Sequence, residues 1–376
     1  MRFTQWLVSK LFGVRNAAAS LGGETTSEFT AEVVRITSVT AHPNADRLSI
    51  AKFELKGSGE SAYEVVTGKD EFRVGDLAAY WSVDCLVPTA HKDFAFLLGR
   101  LDGAGKDYYR LKAARLRGVF SQGLLTRLTP PLAPLQFGSQ LAAAYGVTYH
   151  RDPEPSSPNV SPGKSAKPNA SLGPQYGVES LKKAPRLFKE GEPVCITEKL
   201  HGCNFRFGWV KRKFLGFTIG YRFMVGSHRT VKSPGDNDLW SNAAKSMGLA
   251  AKTKAYPGRI FYGELYGRTE GGAGIQDLTY GQTGPALAVF DVLDQKHNQW
   301  LAPFERLALL DEVSLPSVPV LCPFIRWSPE LPGLYEGEKS AVDGATIKEG
   351  VVVESYNGPR RKAKFVFEQY LTRKGA

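Results

Sequence analysis

The chain has 376 residues and a mass of 41.2 kDa, and at roughly one domain per 150 residues it is expected to hold two domains. Hydrophobic residues at 42% and aromatics at 11% suffice for a substantial core, which excludes wholesale disorder, and no window approaches the roughly 18 apolar residues of a membrane span, so a soluble protein is expected. Lys and Arg outnumber Asp and Glu by 48 to 37, and the net charge of +11 points to a polyanionic partner, with nucleic acid the leading candidate.

The first twenty residues carry Arg2, Lys10 and Arg15 and have no acid before Glu24. They lack the compact apolar region of a secretory signal; an organelle presequence fits these composition rules, but an ordinary N-terminal tail or helix (1–30) is the expectation. Strand patterns follow. Glu32–Val39 mixes branched apolar and polar residues, Leu48–Leu55 alternates with period two, and Tyr63–Thr67 and Leu77–Trp81 are bounded by turn residues. Short strands at this spacing predict a small closed β-barrel, to which Arg110–Leu128 adds a further strand or two. Six prolines and five serines between Arg151 and Pro174 cannot build a core, and 151–185 reads as an extended linker. Beyond it lies a β-rich second domain, 186–376, with a helix predicted over Leu239–Lys254. The glycine-rich Thr269–Gly274 lacks the Lys-Ser/Thr of a Walker motif and reads as a flexible loop. Cys85, Cys195, Cys203 and Cys322 are scattered. They offer neither a zinc pattern nor a disulfide framework, and a reducing interior, cytoplasmic or other, is the expected compartment.

Four strand-like runs in the second domain end in charged residues: Ile196–Asn204 (ITEKLHGCN), Phe261–Gly267 (FYGELYG), Lys348–Glu354 (KEGVVVE) and Arg361–Val366 (RKAKFV). Ala286–Leu293 (ALAVFDVL) lies between the second and third. A lysine after an apolar strand, followed by x-x-Gly, suits a nucleophile at a strand end with room for a phosphate to approach. Glu264 and Glu349 supply oxygen atoms suited to magnesium or to ribose hydroxyls. Lys362 and Lys364 alternate on one strand face, so both can point at one phosphate.

The ordered set K-x-H-G, G-E-L-Y-G, F-D, E-G-V-V-V and K-x-K-F resembles the covalent nucleotidyltransferases, the polynucleotide ligases and capping enzymes. K-x-H-G-x-N is similar to the RNA ligase 2 branch, and the barrel placed before it resembles Deinococcus-type RNA ligases. The resemblance covers about Glu192 to Lys374. It implies an α+β fold: an OB-like β-barrel over 31–150, then a nucleotidyltransferase (adenylyltransferase) domain of antiparallel sheets with flanking helices. It implies an ATP-dependent RNA ligase, with Lys199 the nucleophile that becomes a lysyl-adenylate. His201 would sit beside the phosphate or its metal, and Asn204 and Arg229 would orient phosphate and ribose. Glu264 would bind the ribose hydroxyls, Phe290 would stack on adenine, and Glu198 would help hold the base. Glu349 would coordinate Mg2+, with Mn2+ as a substitute, and Lys362 and Lys364 would neutralise charge as pyrophosphate or AMP leaves. The implied partners are ATP and RNA with nicked or broken ends, acting on a monomer with no membrane. Free lysine is deprotonated only about once in a thousand at neutral pH, so neighbouring cations and a metal would be needed to make the amine available. Phosphoryl transfer itself needs placement and charge neutralisation.

In the first domain, Ala41–Leu48 (AHPNADRL), Val65–Gly68 and Val74–Asp76 resemble the tRNA-binding oligonucleotide-binding barrel found beside some synthetases. Pro43, Asn44 and Asp46 are turn formers in any barrel. Arg47, Lys52, Tyr80, Trp81, Arg110, Lys112, Arg115 and Arg117 are candidates to track an RNA strand by charge and stacking. Because the barrel precedes the transferase domain, it is expected to bind RNA and to influence self-adenylylation little. A capping guanylyltransferase, a DNA ligase and a non-catalytic RNA-binding protein remain the alternatives.

Overall fold

The computed structural model describes residues 30–57, 59–100, 107–128, 135–150, 172–215, 217–232 and 237–373. The expected N-terminal tail, up to residue 29, and linker residues 151–171 lie outside the described residues. Among the described residues no helix is long and apolar enough to cross a membrane.

The first domain is built on an antiparallel sheet in the order Gly59–Gly68, Leu48–Leu55, Ala31–Ala41, Leu77–Trp81, Leu124–Arg127. Alternating apolar residues explain its core: Val34, Ile36, Phe53, Val65 and Ala78 are buried from neighbouring strands. The Gln122 N–H donates to the Glu64 carbonyl, which draws the last strand toward the other edge. Tyr80 and Trp81, expected as stacking residues, are completely buried, so the barrel uses them as core and not as a base platform. Lys52 pairs with Glu64 at 3.0 Å. The HPN turn is tied down by its own side chains: His42 Nε2 meets the Leu116 carbonyl at 3.0 Å and its Nδ1 accepts the Asn44 N–H.

The second domain stacks two five-stranded sheets. One runs Glu179–Ser180, Lys362–Val366, Gly350–Ser355, Pro193–Lys199, Val320–Arg326. The other runs Phe217–Gly226, Cys203–Phe214, Arg259–Gly267, Pro285–Asp294, Gln299–Trp300. Pairing is antiparallel except for Glu179–Ser180 beside Lys362–Val366. Helices Leu239–Ser246 and Pro303–Glu312 cover the second sheet, burying Trp240, Leu309 and Leu310 against Phe207, Phe261 and Val292. The single helix expected over Leu239–Lys254 is two: Ser246 ends the first, and Gly248, at φ +64°, starts the short Leu249–Lys252 turn. Asp238 caps the first helix, accepting from the Trp240 and Ser241 N–H groups.

Residues 172–185, expected as the end of the linker, are packed instead. Leu172 and Leu181 are buried in the second domain, and the Gly173 and Pro174 carbonyls accept from the buried Arg206. This segment also joins the domains. Buried Lys182 places Nζ 5.1 Å from the Phe120 ring centre of the barrel and 5.0 Å from that of Phe365. Tyr63 donates to Ser180, and Arg115 pairs with Glu368.

Candidate active site

Lys199 ends the Pro193–Lys199 strand at the point where the chain crosses to the second sheet. Opposite it, in register, is Gly350, so Glu349 arrives beside the lysine through strand pairing alone. Lys199 Nζ lies 2.7 Å from Glu349 Oε1. On the second sheet Asn204 is in register with Glu264. The glycines of the motifs have a sharper role than leaving room for phosphate. A β-carbon at Gly202 would lie 2.4 Å from the Leu265 carbonyl oxygen, and one at Gly350 would lie 2.1 Å from that of Phe365. Only glycine lets these backbones approach. The Gly202 N–H then donates to Glu264 Oε1 at 2.9 Å, so the motif glycine fixes the carboxylate.

Two cavities meet at this point. One is lined by Tyr176, Glu198, Asn204, Phe290 and Lys362; the other, a cleft of about 970 Å³, by His201, Arg229, Asp277, Glu349 and Arg373. Lys199, Glu264 and Lys364 line both. The barrel supplies the far wall of the cleft with Arg110, Lys112 and His150.

Three buried oxygens along these cavities lack a hydrogen-bond partner in the protein: Glu198 Oε1, Asn204 Oδ1 and Glu349 Oε2. Buried polar atoms are normally satisfied, so a row of such oxygens marks a ligand surface. Glu198 is itself anchored, its Oε2 accepting the Ala341 N–H at 2.8 Å, and burial raises its pKa above the ordinary carboxylate value.

His201 is held from several sides. Its N–H donates to the Tyr280 hydroxyl, Nε2 lies 2.6 Å from Asp277 Oδ1, and Nδ1 pairs with the Tyr370 hydroxyl at 2.9 Å. Burial would raise the Asp277 pKa, but Arg373, 2.6 Å away, and His201 outweigh it and hold the carboxyl below its usual range. Asp277, Tyr280, Tyr370 and Arg373 were not legible as site residues, because loop and C-terminal side chains carry no strand period. Tyr176 is another such residue: it comes from the segment after the linker and packs on Phe290 at 4.8 Å between ring centres.

Lys362 and Lys364 share a strand face as predicted from alternation, but they do different things. Lys362 Nζ is bound to the Phe290 carbonyl at 3.0 Å, to Asp291 at 3.1 Å and to Glu354 at 3.4 Å. It belongs to a buried charge cluster with Arg306 and Arg360, and burial lowers its pKa against the pull of both carboxylates. Lys364 reaches the junction of the cavities. Arg229 lies exposed on the cleft rim, its N–H bonded to Ser227 Oγ.

Burial pushes Glu264 up to about 7 from its ordinary 4.5, with Lys199 opposing and Glu349 adding. The folded chain therefore keeps a proton on Glu264 through a window in which the unfolded chain has lost it. Folding stability from this group falls as pH rises from about 4.5 to about 7. Glu264→Gln cannot lose that proton. Urea unfolding should show the variant matching wild type at pH 5 and gaining on it by roughly 1–3 kcal/mol at pH 8. Parallel stability curves for the two proteins would rule out the shift.

An RNA ligase family model matches residues 192–366, and an OB-fold domain model matches residues 30–128. No curated protein matches the chain. Among solved structures, a mutant of Naegleria gruberi RNA ligase with ATP and Mn has a TM-score of 0.76 at 21% identity, covering 91% of this chain and 98% of that one. The same ligase with PPi gives 0.75 at 21%, over 91% and 97%. A further mutant with AMP and Mn gives 0.75 at 21%, over 91% and 96%. At such identity the likeness establishes a shared fold, and the family assignment rests on the sequence match over the second domain. Residues 192–366 are thus an RNA ligase domain, joined to an OB-fold domain that spans residues 30–128.

Proposed function

We propose that the chain is an ATP-dependent RNA ligase that joins 3′-hydroxyl to 5′-phosphate RNA ends through a lysyl-adenylate on Lys199 and an RNA-adenylate. One observation carries this reading: Lys199, Glu264 and Lys364 line both the aromatic pocket and the charged cleft. A nucleoside in the pocket, against Phe290 and Tyr176, leaves its α-phosphate at that junction and its outer phosphates in the cleft. Glu198 Oε1 offers an acceptor for the amino group of adenine, and Asn204 and Glu264 are placed for the ribose and its phosphate. The Naegleria structures with ATP, AMP, PPi and Mn agree with such a ligand set.

In the first step the Lys199 amine forms a bond to the α-phosphorus as the bond to pyrophosphate breaks, and the amine gives up a proton. Glu349 Oε1, 2.7 Å from Nζ, is the nearest acceptor. Lys364 and Arg229 stand where the departing charge appears. AMP then passes to a 5′-phosphate, and a 3′-hydroxyl displaces it. Glu349 fits a divalent cation, because it lines the cleft, its buried Oε2 has no hydrogen-bond partner, and magnesium takes one or two carboxylates together with substrate phosphates. Among the described residues no group of three or more His, Cys, Asp or Glu side chains is placed to hold a metal ion. Such an ion would neutralise phosphate charge. Arg110 and Lys112 of the barrel face the same cleft, a placement suited to holding an RNA end against the adenylate.

The test is the position of the label. α-Labelled ATP should tag the protein covalently with magnesium present, γ-labelled ATP should not, and pyrophosphate should strip the tag. Transfer from the γ position, or silence after pyrophosphate pretreatment of the protein, would sink the reading.

A further inference from the structure

The strand Cys203–Phe214 pairs with Arg259–Gly267 only from Cys203 to Gly208. Beyond that it continues with Phe217–Gly226 as a two-stranded hairpin, out to Phe214 opposite Phe217. The hairpin end is unusual for a surface. Phe214, Leu215, Phe217 and Ile219 are 63%, 82%, 76% and 56% exposed, and the cations Lys211, Arg212, Lys213 and Arg222 are exposed among them. No Asp or Glu occurs from Lys199 to Gly235. An exposed apolar patch of this extent marks an interaction surface, and unrelieved positive charge selects a polyanion.

The pairing register shows how the groups are arranged. Lys211 faces Tyr221 and Trp209 faces Phe223, so these four share one face; the Trp209 and Phe223 rings meet edge-on at 5.7 Å. The opposite face carries Arg222, across from Val210, and Arg212, across from Gly220. Both faces are therefore charged. A hairpin that lay on a lipid surface would need one apolar face, whereas cations on both faces with exposed rings beside them suit phosphates and bases. The base of the hairpin opens on the site: Lys199, His201 and Gly202 lead into it and Arg229 leads out, all on the cleft.

We infer that this hairpin is an RNA-docking arm, which grips the nucleic acid flanking the end that is joined at Lys199. The inference rests on the ligase reading above for where the RNA lies. At about 3.3 Å per residue, Lys211 stands roughly 26 Å and Phe214 roughly 36 Å along the strand from Cys203. At a rise of about 2.8 Å per base pair in A-form RNA, the arm reaches about 9 to 13 base pairs from the joined end.

The experiment uses the full chain, as wild type, as K211E/R212E/K213E and as F214A/F217A/Y221A. Each is titrated with nicked RNA duplexes of increasing flank length at several salt concentrations, and each is labelled with α-labelled ATP. Wild-type affinity should climb with flank length and level off near about 9 to 13 base pairs. The charge variant should lose at least 10-fold on long flanks, nothing on the shortest, and roughly 2 to 3 in the salt slope. The aromatic variant should lose about 5- to 30-fold with its slope unchanged. Both should self-label as wild type does. Wild-type affinity of the charge variant for long flanks would overturn the inference. Vesicles with anionic lipid that sediment with wild type but not with that variant, RNA binding being equal, would reassign the arm to a membrane. Loss of RNA binding in a chain whose wild type never self-labels would leave the arm standing and remove the ligase reading.

Discussion

Lys199→Ala and Lys199→Arg should both bring covalent labelling by α-labelled ATP down to background, a fall of at least about 10³-fold. The arginine variant is the informative one. Were Lys199 only a cationic partner for Glu349 at 2.7 Å, a guanidinium would restore the pair and much of the activity. A nucleophile must present a free amine, and arginine stays protonated throughout the accessible pH range. Nucleotide binding should survive within about 10-fold, because the pocket walls at Glu198, Phe290 and Tyr176 are untouched. The final step does not use the amine as nucleophile, so both variants should still seal RNA supplied already adenylated. Labelling of the arginine variant at a tenth of wild type or more would show that Lys199 acts by charge.

Asp291→Asn should be among the most destabilising single substitutions in the chain, by about 3–5 kcal/mol. Asp291 is completely buried and sits among Arg306, Arg360 and Lys362, with the Tyr176 hydroxyl donating to Oδ2 at 2.5 Å. Burial would raise its pKa, but Lys362, Arg360 and Arg306 more than offset that and hold the carboxyl well below its usual range. Its contribution is therefore complete above the unfolded carboxylate value near 4 and is lost only at strongly acid pH. The neutral amide would leave three cations facing Glu354 alone in a water-poor interior. Tyr176 and Lys362 both wall the pocket proposed for the nucleotide, so ATP affinity should drop together with stability. Chemical unfolding at pH 7 with nucleotide titration provides the check. A variant within about 1 kcal/mol of wild type would mean that the cluster tolerates the lost charge.

Much of this protein could be read from local order in the chain. Period-two alternation over Leu48–Leu55 and Leu77–Trp81 marks strands that exist, because a strand's two faces are written in successive residues. The ordered segments around Lys199, Glu264, Phe290, Glu349 and Lys364 also converge, since neighbouring strands carry them and pairing register delivers them to one place. Periodicity was silent on which face of a strand meets water. Tyr80 and Trp81 read as base-stacking rings, yet the closing barrel encloses them. Lys362 read as a phosphate ligand, yet Asp291 and Glu354 draw it into the interior.

By itself, then, the sequence determined the strands, the charge surplus and the five motifs in their order, for each is carried by residues close together in the chain. Tertiary structure alone decided what surrounds them. It set Tyr370, 169 residues away, on His201, brought Tyr176 from beyond the linker to the pocket, and turned Arg110 and Lys112 of the barrel toward the cleft. Those contacts depend on how sheets stack and domains dock, through packing between residues far apart, and no local period encodes them.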